Sequence, residues 1–125
     1  MARSAVRVRI EYADQNEGFR ASLPVTGVLD RKLSAENDSR PWWVVALDQP
    51  VQYQLKVAEP PQYRLVEARA LVVGSRASGH EVGGRKPTPV HILLPLTAEA
   101  TRGERLRASD FFHVAWGVCH NEDAA

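Results

Sequence analysis

Cysteine is all but missing from this chain: Cys119 stands alone in 125 residues. No internal disulfide can form, which fits a reducing compartment, and a cytoplasmic location is expected. Long apolar runs are missing too. The longest, Trp42 to Leu47, falls far short of the roughly 20 residues a membrane helix needs. The opening MARSAVRVRIEY passes straight into an alternating pattern without an apolar h-region, so no secretory leader is expected. Lysine is scarce, at three against thirteen arginines, and the net charge is only +1. A general polyanion-binding surface is disfavoured by that balance. Metal motifs are absent as well: there is no HxH, HxxxH, CxxC or H-E-x-x-H spacing. No G-x-S-x-G elbow occurs, and no pair of carboxylates sits at a converging spacing. Neither a metal nor a cofactor is expected, and the balance leans against an enzyme.

What is present is a chain of single-domain size, 1–125, with 44% apolar and 25% charged residues, enough to bury one core. Its dominant signal is period-two alternation. Val6, Val8, Ile10 and Tyr12 oppose Arg7, Arg9 and Glu11, a strand half in a core and half in solvent. Phe19, Ala21 and Leu23 repeat the pattern up to Pro24, and Val25 to Leu29 extend it. Residues 30–41 have the polar look of a loop, with Asp30 able to cap one helical turn. Two further strands follow, Trp42–Leu47 and Val51–Val57, joined through Asp48, Gln49 and Pro50 and ended by Pro60 and Pro61.

The stretch from Tyr63 to Pro95 reads as a hairpin around a long arm. Val66, Ala68, Ala70 and Val72 form its core face. A glycine-rich basic loop spans 74–89, GSRASGHEVGGRKPTP, and Val90, Ile92 and Leu94 form a short strand between Pro89 and Pro95. Thr97 to Ser109 has helical composition interrupted by Gly103. In the last strand, Asp110 to His120, Phe112, Val114, Trp116 and Val118 fall on one apolar face. Phe111, Ala115, Gly117 and Cys119 fall on a second apolar face. Residues 121–125 read as a frayed tail. The fold class is therefore all-β: an antiparallel sandwich or a partly open small barrel of about seven strands, with at most one short helix.

Several residues are candidates for binding. Arg76, His80, Arg85 and Lys86 stand in the 74–89 loop, whose glycines let backbone N–H groups turn toward an anion. The loop matches neither a Walker A pattern nor a dinucleotide fingerprint, and its plainer reading is a solvated hairpin loop. Arg7 and Arg9 lie roughly 6.5 to 7 Å apart along one strand face, near the phosphate spacing of a single strand. Pairing with Glu11 and cross-strand acids is the plainer reading. Trp42 and Trp43 must point to opposite faces, leaving one indole near the surface beside Arg40, while Arg64 adds to the local positive charge. Of the histidines, only His91 and His113 fall where neighbouring strands can bring them together.

Three readings follow. The first is a non-enzymatic module that binds a protein partner or copies of itself, through the second apolar face at Phe111, Ala115 and Cys119. The next is an OB-like or SH3-like barrel that binds nucleic acid with the basic residues and an exposed tryptophan. The last is an enzyme around His91, His113 and Asp110.

Overall fold

A computed structural model describes residues 6–12, 24–36, 38–58, 62–77 and 79–123, the side chains at 12, 55–58, 62–64, 114 and 115 excepted. The expected strand at Phe19–Leu23 lies outside the described residues, as do the side chains of Arg64 and Ala115.

Among the described residues seven strands form one sheet: β1 (Arg7–Tyr12), β2 (Val25–Ala35), β3 (Asp38–Ala58), β4 (Gln62–Ser75), β5 (Thr88–Pro95), β6 (Arg105–Leu106) and β7 (Phe111–Asn121). Six of them follow the order β1-β7-β5-β4-β3-β2, and pairing of β1 with β2 closes the ring. Every pairing within the ring is antiparallel. The result is a closed up-and-down barrel, which removes the exposed sheet edges a sandwich would retain. It also differs from the OB type expected as an alternative, which is a five-stranded Greek key. β6 lies outside the ring, parallel to the end of β2. The helical composition of 97–109 yields only short 3₁₀ turns at Ala98–Thr101 and Ala108–Asp110.

Side-chain alternation supplies two cores rather than one. Val8, Ile10, Leu29, Val45, Leu71, Val73, Val90, Ile92, Leu94 and Cys119 fill the barrel interior. On the outer face, Leu33, Trp42, Val44, Val72, Leu93, Ala100 and Phe111 form a second cluster. That cluster draws Ala100 and Leu106 from the segment between β5 and β7, which explains how β4 and β5 are apolar on both faces.

Register breaks decide which residues join which core. In β2 the partner of Leu29 is Val45 and that of Arg31 is Val44, a bulge at Asp30. It turns Leu33 from the interior to the outer cluster. Residues 30–35 and 38–41 are accordingly strand, a correction of the expected loop: β2 continues to Ala35 and β3 begins at Asp38. Polar composition misled there because the hairpin projects with much of its surface in solvent. β3 runs 21 residues. Its pairing with β4 is interrupted between Ala46 and Val51, and Pro50 sits in that gap, where no ladder donor is needed.

β7 carries the second decisive bulge. Ile92 pairs with Ala115 but Leu93 pairs with His113, leaving Val114 over. Below it Phe112 packs toward the interior and Phe111 joins the outer cluster; above it Gly117 and Cys119 face inward. The expected assignment of faces is thus corrected. Phe111 is 9% exposed and Cys119 1%, so neither offers a free apolar surface. Burial pushes the Cys119 thiol up to about 11, partly offset by the Gly83 amide. Gly117 is required by space: a Cβ there would stand 2.3 Å from the Glu11 carbonyl oxygen.

The loop between β4 and β5 is packed rather than free-standing. Val82 is 4% exposed within the interior core and closes one mouth of the barrel. Thr88 Oγ1 donates to the Glu81 carbonyl at 3.0 Å, and Asn121 Nδ2 donates to Gly83 O at 2.7 Å. At the expected tail, Asn121 still belongs to β7 and Glu122 N donates to Arg7 O.

Candidate functional site

One row of residues crosses four neighbouring strands on the outer face. The registers read Trp42 to Gly74, Gly74 to His91 and His91 to Trp116, across β3, β4, β5 and β7. Gly74 makes the row continuous, because the Trp42 ring lies over it and a Cβ would come within 2.6 Å of that ring. The Trp42 and His91 ring centroids are 6.1 Å apart. The β7 bulge then turns His113 outward beside Trp116, at 5.0 Å between centroids, although regular alternation would separate these two onto opposite faces.

The polar contacts form a chain. Trp116 Nε1 donates to His91 Nδ1 at 3.0 Å, and His113 Nε2 lies 3.1 Å from the same nitrogen. An indole N–H can only donate, so His91 Nδ1 is the acceptor and the neutral pair holds a proton on His113 Nε2. Both imidazoles are held below the usual histidine range. For His91 the causes are desolvation, then His113, Arg40 and Arg76, with Asp38 opposing. For His113 desolvation leads and Arg76 adds to it, against a backbone hydrogen bond. Two neutral imidazoles are the expected state at neutral pH.

A guanidinium stands over each indole. Arg40 lies 5.1 Å from the Trp42 ring and Arg76 5.2 Å from the Trp116 ring, distances at which cation–π attraction operates. Their polar partners differ. Arg40 Nε donates to Asp38 Oδ1 at 3.1 Å and Nη1 to Ser75 O at 3.2 Å. Partial burial pushes the Asp38 carboxyl up, but the Arg40 amide and guanidinium outweigh it and hold the carboxyl below its usual range. The Trp42 indole N–H lies close enough to aid that shift yet makes no well-aligned hydrogen bond. Arg76 has no carboxylate within ion-pair distance among the described residues.

The remaining sequence candidates divide. His80, Arg85 and Lys86 are exposed on the β4–β5 loop. Trp42 is buried at 8% exposure, while Trp43 is half-buried on the interior side with Lys32 Nζ 5.0 Å over its ring. Arg7 is bound to Asp48, which also accepts from Thr26 Oγ1 at 2.7 Å. Arg9 lies 3.0 Å from Glu11 and 3.7 Å from Glu122, and Glu11 also meets His120 at 3.1 Å. The β1 arginines are therefore matched by acids, and no contact joins them to the row among the described residues. Asp110 does not join the histidines: its carbonyl accepts from Leu96 N, outside the row. Sequence reasoning missed Arg40, Gly74 and Trp116 as partners of the histidine pair. The signal available was register, since Gly74 opposite Trp42 is legible once the β3–β4 pairing is known.

Among the described residues no group of three or more His, Cys, Asp or Glu side chains converges as a metal site would require. Among the same residues no helix is long and apolar enough to cross a membrane. No family model, curated protein or solved structure matches the chain. What stands established is its class, a small closed antiparallel β-barrel.

Proposed function

We propose that the chain is a non-catalytic binding module whose ligand is single-stranded nucleic acid, taken on the accessible His91–His113–Trp116 end of the row. The observation that carries this reading is Arg76: a guanidinium with no carboxylate partner among the described residues, held over Trp116. Such a group presents unsatisfied N–H donors to a phosphate, beside a half-buried indole and the exposed His113 ring, both able to stack a base. Arg85 and Lys86 on the adjoining loop add long-range attraction. Phe111 and Cys119 are buried, so binding to a protein would use other apolar surface, such as Leu65 on β4, which is 61% exposed.

The test is the affinity of short single-stranded RNA and DNA at low salt, with the matching duplex as control. Trp116→Leu is expected to weaken binding about 5- to 150-fold, the equivalent of roughly 1–3 kcal/mol for one stacked base. Arg76→Ala should weaken it and also lessen its salt dependence. No binding at low salt, or equal binding by both variants, overturns the reading.

A further inference from the structure

Next to the row, an open cleft of about 410 Å³ lies between the β2–β3 hairpin and the β4–β5 loop, lined among others by Lys32, Arg40, Trp43, Ser75, Arg76 and His80. We infer that this cleft is a phosphate subsite, holding the phosphodiester that follows the nucleotide stacked on Trp116. The inference rests on the reading above and extends it to residues on a different part of the barrel.

Three cations from three segments meet at the cleft. Lys32 comes from β2, Arg40 from β3 and Arg76 from the loop just after β4. Two acids share the lining, Asp38 and Glu81. Asp38 is bound to Arg40 through both carboxylate oxygens, at 3.1 Å and 2.9 Å from Nε. Glu81 is exposed and makes no ion pair among the described residues. Lys32 and Arg76 thus face the cleft with positive charge that no paired carboxylate cancels. Each is also positioned: the ammonium rests over Trp43 and the guanidinium over Trp116. Holding long side chains over rings reduces the ordering cost of gripping an anion. Arg76 borders both cleft and row, so one guanidinium can contact the phosphate between them.

The experiment has two arms. In the first, a fluorescent ten-residue oligothymidylate is titrated with wild type, Lys32→Gln and Lys32→Arg over about 50 to 200 mM salt. The subsite predicts a several-fold loss in Lys32→Gln, a log–log salt slope smaller by about 0.7, and recovery in Lys32→Arg. In the second arm, inorganic pyrophosphate is added while the Trp43 and Trp116 indole N–H resonances are followed. The Trp43 signal should move in wild type and stay still in Lys32→Gln. If the oligonucleotide binds and Lys32→Gln matches wild type in affinity and slope, the subsite is overturned while the stacking row stands. Should pyrophosphate move Trp43 through Lys32 while the oligonucleotide fails to bind, the cleft is an anion site and the nucleic-acid reading falls. Silence in both arms overturns both.

Discussion

His91 and His113 meet through one short contact, with cations close by. Protonating either places a new charge beside the other ring and near Arg76, with Arg40 also acting on His91; Asp38 relieves part of that for His91. Their folded values lie below the ordinary histidine value of about 6.5. An unfolded chain therefore binds protons more readily than the native one as pH falls through that value. Stability should be flat above neutrality and decline as pH drops from about 7 toward the lowered native values, a loss absent in His91→Gln/His113→Gln. An anion on Arg40 and Arg76 acts the opposite way, since it cancels the charges that oppose protonation. Oligonucleotide binding should take up protons, and affinity should rise from about pH 7.5 to about pH 5.5. Calorimetry in two buffers of different ionisation enthalpy checks this, and equal apparent heats at pH 6 would refute it.

At the scale of the strand, the site is a product of irregularity. Without the extra residue at Val114, His113 and Trp116 could not both face outward. The row also depends on one strand giving way to its neighbour: Gly74 leaves the space that the Trp42 ring occupies. Gly74→Ala should displace the indole and cost about 1–3 kcal/mol by overpacking. It should also weaken oligonucleotide binding by disturbing His91, an outcome read from thermal unfolding and titration together. The same irregularities explain what was and was not legible in the chain. Val8 and Ile10 against Arg7 and Arg9 gave the faces of β1 correctly, because that strand pairs without a break. The pairing of His91 with His113 was foreseeable as a cross-strand event. A period of two puts Trp116 on the face opposite His113, and Cys119 on the face of Phe111, because it cannot reveal a residue inserted at Val114. Polar composition concealed the β2–β3 hairpin, where charged residues project from strands rather than from a loop.

Across the whole molecule, charge is nearly balanced at +1, yet it is not evenly matched. On β1 the arginines are tied to Asp48, Glu11 and Glu122, while Arg76 on the opposite side of β7 and β5 lacks such a partner. Attraction for a polyanion should therefore be local and shallow. The salt slope for a single strand should correspond to few phosphates, near −0.7 for each one engaged, in place of the steep slopes of strongly basic proteins. A slope indicating six or more phosphates would mean that a different surface carries the interaction.

The ring is completed by β1, which lies between β7 and β2 although more than a hundred residues separate Ile10 from Cys119. That seam joins the earliest described strand to the last. A ribosome making these residues must release β7 before the circle can be sealed, so β1 waits while every strand between them is made without one of its two neighbours. Such distant partnering favours slow assembly, and it makes the seam, rather than the binding face, the place where newly made copies are most exposed to capture by chaperones.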